Sequence, residues 1–267
     1  MKIKDYFQLA IPMALTIVLT ACLDGEEIKP SKLKEQDSVP ELKPTPESEN
    51  TSKQVSLLFN EDDGSLIAIN SAGNSNFQIT NNFAMPERVA GVEGTALRTD
   101  GYSTWAQGSV NLEPSPSMTA QTWVALENYP ADAEVQHNDL TPSALFHQAT
   151  ETEGFSLDIN TFGQWSFRVT INNKLYTVKA PELLPLYEWV HVTAVVDGDA
   201  GNIRLYLNGQ QVAIDESIPV GSNINYADAD FTVGKGITNK SLGIFPIING
   251  INGVFDQTQI YTVAHSE

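Results

Sequence analysis

Alternation of apolar and polar residues with a period of two dominates the chain after about residue 55. The alternation is plainest in three runs, at 155–159, 165–171 and 203–207. Turn-forming pairs separate such runs: Asn172-Asn173, Asp197-Gly198 and Asn208-Gly209. Asn-Gly is typical of a type I′ hairpin, because both of its residues tolerate a positive φ. No segment has a helical apolar stripe with caps. The pattern predicts an all-β fold with half-buried antiparallel strands packed as a two-sheet sandwich.

The first 22 residues have a different character. Lys2 and Lys4 precede an apolar run that ends near Thr20, and the chain's only cysteine follows in Leu-Thr-Ala-Cys22. The run is short for a helix that spans a bilayer, which needs about 20 apolar residues. This arrangement resembles a bacterial lipoprotein signal. Residues 1–21 are therefore expected to be a signal peptide, and Cys22 to be lipidated as the new N-terminus. The alternative is an ordinary secretory leader with a fortuitous cysteine.

A polar segment separates Cys22 from the sandwich. Residues 24–54 are rich in Pro, Glu, Lys and Ser and contain no aromatic residue. Such a composition cannot bury enough apolar surface to offset the entropy lost on ordering. Residues 22–54 are thus predicted to be a lipidated N-terminus with a disordered linker, and residues 55–267 to be the folded domain. The expected location is the cell envelope outside the cytoplasm, at the outer membrane or cell surface, with the membrane as a partner through the lipid.

The chain is strongly acidic. Its formal net charge is −18, and loss of Lys2, Lys4 and Asp5 with the leader would remove a net +1 and give −19. Nucleic acid is excluded as a partner, because phosphate binding needs a basic surface. Cations and neutral glycans remain compatible with this charge. With Cys22 lipidated, no cysteine is left for a disulfide.

Four segments carry a resemblance to a known family. Residues 189–212 read WVHVTAVVDGDAGNIRLYLNGQQV, residues 118–126 read MTAQTWVAL, and residues 255–262 read FDQTQIYT. They are similar to strands of concanavalin A-like, laminin G-type jelly-roll sandwiches. Residues 86–105, PERVAGVEGTALRTDGYSTW, resemble the laminin G-type module at the N-terminus of some bacterial glycoside hydrolases of family 32. Gly91, Gly94 and Gly101 in this segment are expected where the chain bends from one sheet to the other.

The resemblance implies a structural calcium ion. Related modules join their N-terminal strand region to an Asp of the last strand through calcium, and here the matching carboxylate is Asp256. Asp62, Asp63 and the loop residues Asn70 and Gly73 would supply further oxygens, if residues 55–59 pair beside the final strand. The choice between Asp62 and Asp63 stays open. The alternative is that residues 61–64 form a solvated acidic turn.

Aromatic residues in loop-like positions are candidates for sugar binding, because sugar rings present CH faces to flat π surfaces. These candidates are Tyr102, Trp105, Tyr187 and Tyr226. Trp123, Trp165 and Trp189 fit core positions better. Tyr102 and Trp105 lie within the family motif, so a purely structural role is the alternative for both.

No catalytic residues can be identified. Glycoside hydrolysis needs two carboxyl groups that flank the bond, but Glu151/Glu153 and Asp228/Asp230 lie in loop-like stretches. The Glu-x-Asp-x-x-Glu strand of laminarinase-type sandwiches and the family 32 signatures are absent. The four histidines lack metal-ligand spacing. The sequence favours a membrane-anchored, non-catalytic carbohydrate-binding lipoprotein whose partner is a polysaccharide or oligosaccharide. The alternatives are an accessory module or truncated N-terminal part of a fructan-type glycoside hydrolase, and a protein-adhesion module.

Overall fold

A computed structural model describes residues 52–73, 75–81, 85–112, 114–130, 143–237 and 250–265. Within these ranges no helix is long and apolar enough to cross a membrane. The signal peptide, Cys22 and nearly all of the linker lie outside the described residues, so these predictions stay predictions. The first strand begins at Lys53, two residues before the predicted start of the domain.

The described strands form two sheets, numbered here β1 to β16 in chain order. Sheet I has eight strands. In spatial order these are β14 (Gln210–Asp215), β13 (Asn202–Leu207), β12 (Trp189–Asp197), β7 (Ser117–Asn128), β16 (Asn252–Tyr261), β5 (Thr95–Asp100) and β4 (Glu87–Ala90), with β1 (Lys53–Leu57) also pairing with β16. One edge of β16 is thus shared, since β5 pairs with its first half and β1 with its second half.

Sheet II also has eight strands. In spatial order these are β11 (Lys174–Leu183), β10 (Gln164–Ile171), β9 (Gly154–Ile159), β8 (Ser143–Ala149), β15 (Phe231–Val233), β6 (Trp105–Gly108), β3 (Phe77–Thr80) and β2 (Ile67–Ala68). Neighbouring strands in both sheets run antiparallel. The predicted all-β, two-sheet jelly-roll sandwich is confirmed. Val55–Leu57 pair with the final strand, which was the condition set for the expected calcium site.

Two predicted hairpins have the expected turn geometry. Asn172 and Asn173 join β10 to β11 with φ values of 49° and 62°, and Asn208 and Gly209 join β13 to β14 with 52° and 75°. A two-residue loop with two positive φ angles matches the right-handed twist of the strands on either side. Local sequence therefore specifies the register of both hairpins.

The prediction for the three glycines holds only for Gly101. Gly101 has a φ of 82° and opens the connection from β5 in sheet I to β6 in sheet II. Gly91 and Gly94 instead lie in the turn between β4 and β5, which are neighbours in sheet I. The prediction was wrong there because a glycine marks a turn without specifying which sheet the chain enters next.

The main core fills the space between the sheets and is rich in phenylalanine. Phe231 lies near its centre, 5.8 Å from Phe77 and 5.9 Å from Phe146 between ring centroids. Trp165 belongs to this core as predicted. Trp123 and Trp189 are buried too, but in a separate cluster with Val89, Ala96, Ala125 and Val254. Because Val124 points into the main core, its neighbour Trp123 lies on the outer face of sheet I.

The prediction of a half-buried strand was wrong for β9. Ser156 and Asp158 are only 1% and 2% exposed, so both faces of this strand are buried. Polar pairing compensates for this burial, because the Nε of Arg168 on β10 and the hydroxyl of Ser156 both donate to the carboxylate of Asp158. Such a pair makes it possible to bury a polar face. The alternation of polar and apolar residues in the sequence does not reveal it.

Candidate functional site

The four aromatic residues predicted to bind sugar lie at two opposite ends of the sandwich. One end, named here the Asn252 end, contains Asp100, Asn128 and Asn252, which lie side by side on β5, β7 and β16. The other, the Asp197 end, contains the paired residues Ser117 and Asp197 on β7 and β12.

Tyr102, Trp105 and Tyr187 lie at the Asn252 end, since their segments adjoin Asp100 or the end of β7. Tyr226 lies at the Asp197 end, where Asn225 and Ile224 bond to Thr170 and Ser115. The predicted set therefore does not form one site.

Tyr102 and Trp105 differ sharply in accessibility. Tyr102 is 46% exposed in a loop held by Asp100, whose carboxylate accepts hydrogen bonds from the backbone of residues 102–104. Trp105 is only 8% exposed; its Nε1 donates to Gln107, and the Nζ of Lys235 lies 4.6 Å from its ring centroid. A sugar needs an open ring face for stacking, so the burial of Trp105 favours the alternative raised from the sequence, a structural role.

Tyr187 has an unusual backbone conformation. It lies between β11 and β12 with a φ of 61°, and its backbone N–H donates to the carbonyl of Leu126 at 2.7 Å. A positive φ is rare for a bulky residue and costs on the order of 1–3 kcal/mol. The surrounding hydrogen bond holds the residue in this strained conformation, with the side chain half-buried.

A cleft of about 450 Å³ opens at the Asp197 end. One wall comes from the connection between β6 and β7, and the other from the segment that precedes β15. Its lining combines apolar side chains with a hydroxyl, an amide and a carboxylate: Ser109, Val110, Asn111, Leu112, Pro114, Ile224, Tyr226, Ala227, Asp228 and Ala229. Leu112, Ile224 and Ala227 are buried and form the floor, whereas Ser109, Asn111 and Asp228 are exposed. An apolar floor with a few polar groups is typical of small-molecule sites.

Tyr226 gives the cleft its aromatic surface. Its ring packs edge-on against Phe155, with 6.3 Å between the centroids, which fixes the ring on the core. Its hydroxyl oxygen is buried and has no hydrogen-bond partner among the described residues. Burial raises the pKa of Tyr226, so the hydroxyl stays neutral and keeps both a donor and an acceptor. A buried hydroxyl without a partner is available to a ligand or a water molecule.

Gln148 connects the two walls of the cleft from beneath. This residue of β8 is 1% exposed, and its Nε2 donates to the carbonyl of Val110 at 2.7 Å and to that of Ala229 at 3.1 Å. One amide thus fixes both walls. Sequence reasoning missed this residue, although a glutamine inside the apolar run Ala144-Leu-Phe-His-Gln-Ala149 is a signal, because buried amides need specific partners.

The acidic loop near residue 62 pairs with protein groups. Arg88 donates from Nη2 to Glu61 at 3.0 Å, and its backbone N–H donates to Asp63 at 2.9 Å. Asn70 is buried, and its Oδ1 accepts from the backbone of Ser56 and Ala72. The carboxylates of Glu61 and Asp63 therefore tie the loop to β4, while the side chains of Asp62 and Asp63 lie on the exposed part of the loop.

Asp256 on β16 is the expected calcium ligand with the most distinctive surroundings. Its Oδ2 accepts from the backbone N–H groups of Val92 at 2.8 Å and Glu93 at 3.2 Å, while Oδ1 is buried without a partner among the described residues. Burial raises the pKa of Asp256 to about 6, despite these two donors.

A side chain at Gly91 would clash with Asp256, because its Cβ would lie 2.6 Å from Oδ2. The described residues contain no group of three or more His, Cys, Asp or Glu side chains that could hold a metal ion. Oδ1 of Asp256 accepts no hydrogen bond from the described residues and suits a cation. The side-chain Oδ1 atoms of Asp63 and Asn70 already accept hydrogen bonds from backbone N–H groups. Calcium binding stays a prediction.

The outer face of sheet II contains a further polar cluster that the sequence did not suggest. His147, Ser156 and Arg168 lie directly opposite one another on β8, β9 and β10. Burial, with Lys235 and Arg168 nearby, lowers the pKa of His147 to about 4, so the imidazole is neutral at pH 7. Burial raises the pKa of Asp158 against the opposing effect of Arg168. The outer face therefore combines the Arg168–Asp158 ion pair with a neutral histidine.

Residues 97–267 match the model of the Laminin_G_3 family, described as the concanavalin A-like lectin/glucanases superfamily. The chain belongs to this family. No curated protein matches the sequence of this chain. The part of the chain that matches begins at Leu97 in β5 and includes the cleft, β16 and Asp256.

Three solved structures illustrate the fold of this superfamily member. Domain 4 of AbnA, a GH43 extracellular arabinanase from Geobacillus stearothermophilus, in complex with arabinotriose, is 19% identical with a TM-score of 0.56, over 80% of this chain and 93% of that domain. The binding domain of Paraclostridial Mosquitocidal Protein 1 is 13% identical with a TM-score of 0.58, over 81% of this chain and 50% of that one. The botulinum neurotoxin serotype G binding domain is 12% identical with a TM-score of 0.55, over 80% of this chain and 48% of that one. This chain thus spans about half the length of the two toxin structures, and at these identities the likeness shows the fold alone.

Proposed function

We propose that this protein is a non-catalytic carbohydrate-binding module and that the cleft at the Asp197 end holds the sugar. The observation that carries the proposal is the combination of Tyr226 with an apolar floor and nearby polar groups. Leu112, Ile224 and Ala227 offer a surface for the CH face of a sugar ring, and Ser109 and Asn111 offer partners for its hydroxyl groups. The Tyr226 hydroxyl, buried without a partner among the described residues, would bond to a sugar hydroxyl or to a water molecule beneath the sugar.

The carboxylates near the cleft support binding without turnover. Asp228 and Asp230 are exposed, and Asp230 accepts a hydrogen bond from Gln107 Nε2 at 2.6 Å. A general acid for glycoside hydrolysis needs an environment that withdraws it from water. Glu151 and Glu153 are likewise exposed, in the turn between β8 and β9.

Lipid anchoring is the second part of the proposal and rests on the sequence around Cys22. A single site of this size is expected to bind weakly, with a Kd on the order of tens to hundreds of micromolar. Many anchored copies on one surface would raise the overall affinity through multivalency without any new contact.

The accessory-module interpretation has one observation in its favour. The arabinanase domain that resembles this fold is part of an extracellular glycoside hydrolase and was solved with arabinotriose. A reading frame downstream that continues into an Asn-Asp-Pro signature would favour the fructan-type hydrolase, for which residues 86–105 give the sequence resemblance.

Binding to a panel of neutral oligosaccharides tests the proposal. Titration calorimetry on the full chain in detergent would start with inulin oligomers and arabinotriose and continue with plant and marine oligosaccharides. Tyr226→Ala should weaken binding at least tenfold, since it removes the ring and its hydroxyl. Tyr226→Phe should have a smaller effect, because only the hydroxyl is lost. Tyr102→Ala is the matched control, an exposed tyrosine at the opposite end.

Three results would overturn the proposal in whole or in part. The first is failure of every neutral glycan to bind, which would favour a protein partner. The second is steady release of reducing sugar that is lost in Asp228→Asn, which would make the protein a hydrolase. Equal loss of affinity in Tyr102→Ala and Tyr226→Ala would move the binding site away from the cleft.

A further inference from the structure

The described residues that line the cleft carry negative charge only. None of the described residues that line it carries a positive charge, whereas Asp228 is exposed at its rim. Asp230 follows two residues later, also exposed. None of the basic residues described on sheet II lines the cleft. Lys174 and Lys179 lie on the edge strand β11, with Lys174 over the Tyr176 ring. Lys235 covers Trp105 at the Asn252 end, and Arg168 pairs with Asp158 on the outer face.

The interior of the cleft offers no compensation for an anionic ligand. Its buried floor is apolar, and the unpartnered group in it is the neutral Tyr226 hydroxyl. An anion placed there would lose hydration without gaining a cation and would lie near a carboxylate. The field of the whole chain, with a formal net charge of −18, acts in the same direction.

We infer that the cleft selects uncharged sugar units and rejects uronic acids and sulfated sugars, with Asp228 as the residue that determines this selectivity. The inference rests on the proposed function and adds the class of ligand to it. Two like charges about 6 Å apart weaken binding about threefold at the dielectric constant of water and about a hundredfold at an effective value of about 20. At the exposed rim of the cleft we expect an intermediate effect, on the order of tenfold. The penalty should shrink as salt screens the interaction, because the Debye length falls from about 10 Å at 0.1 M to about 3 Å at 1 M.

Matched neutral and acidic oligosaccharides test the inference. Galactotriose would be compared with trigalacturonic acid, and cellotriose with its C6-oxidised form, by titration of the full chain at pH 7 in 0.05 M and 0.5 M salt. For the pair that binds, the neutral member should bind about tenfold more tightly at low salt, and by a smaller factor at high salt. Asp228→Asn should bring the two affinities within about twofold. Glu182→Gln, an equal loss of charge on the edge strand β11, should leave the ratio unchanged.

The outcomes separate this inference from the proposed function. Equal or tighter binding of the acidic member through a cleft that depends on Tyr226 would overturn the selectivity and leave glycan binding intact. Selectivity that survives in Asp228→Asn, or disappears equally in Glu182→Gln, would show that Asp228 is not its source. Absence of binding by the inulin, arabinose, galactose and cellulose oligomers alike would overturn the proposed function itself.

Discussion

Gln148 provides a direct test of whether the cleft is held in a preformed shape. Gln148→Leu keeps a similar volume but removes the amide N–H groups that reach Val110 and Ala229. Two hydrogen bonds at about 1 kcal/mol each contribute to stability, and loss of the unpartnered buried Oε1 offsets part of that contribution. We expect a net loss of about 1–2 kcal/mol in the free energy of unfolding. For a domain of about 200 residues this lowers the Tm by roughly 2–8 °C.

The effect on affinity should exceed the effect on stability. Without the amide, the two walls of the cleft are no longer fixed relative to each other, and ligand binding must supply that ordering. We expect at least a tenfold weaker Kd for a neutral oligosaccharide. Urea denaturation measures the first quantity and titration calorimetry the second, on the same preparation.

Tyr129→Phe is the matched control for this prediction. It removes one hydrogen bond of 2.7 Å, from the tyrosine hydroxyl to the carbonyl of Leu184, at the Asn252 end. It should cost about 1 kcal/mol of stability and leave the affinity unchanged. If Gln148→Leu lowers stability but binds as tightly as the parent chain, the walls hold their positions without the amide. The preorganisation argument would then be wrong.

Three further predictions concern stability and anchoring. Because the folded pKa of His147, about 4, lies below its ordinary 6.5, protonation of His147 should remove up to about 3 kcal/mol of stability as the pH falls from 6.5 to 4. His147→Gln should remove that part of the loss, and identical pH profiles by urea denaturation would contradict it. Cys22→Ser should release the protein from membranes, and unchanged fractionation would contradict lipidation. Calcium should raise the Tm by several degrees and Asp256→Ala should abolish the rise, whereas a melt indifferent to chelator would exclude a site of useful affinity.

The fold was predictable from the sequence because its signals are local. Period-two alternation places strands, and the pairs Asn172-Asn173 and Asn208-Gly209 specify their own hairpin geometry within four residues. The assignment of strands to sheets is not local. Gly91 and Gly94 therefore marked a turn correctly, but not the sheet to which the turn belongs. The sequence likewise predicted that Trp123 is buried, but not that it lies on the outer face of sheet I.

The candidate site was predictable only in part, because its parts meet across long separations. Tyr226 could be selected from its aromatic ring and polar neighbours, but the wall that faces it begins at Ser109. Gln148 bonds to carbonyls 38 and 81 residues away, and Glu61 pairs with Arg88 over 27 residues. A carboxylate in an acidic run looks the same in sequence whether it meets a cation, a backbone amide or water.

The same reasoning explains why charge is the best guide to the ligand of this cleft. Shape depends on backbone contacts that a relative at 19% identity need not share, so the arabinotriose complex shows the fold without specifying the sugar. The absence of basic side chains among the described lining residues, and the position of Asp228 at the rim, are observed in this chain itself. A single carboxylate cannot distinguish one neutral sugar from another, since its hydrogen bonds suit any hydroxyl. It can reject an anion, because repulsion between like charges does not depend on the stereochemistry of the ring. The acidic member of a matched pair is therefore the more informative ligand to test.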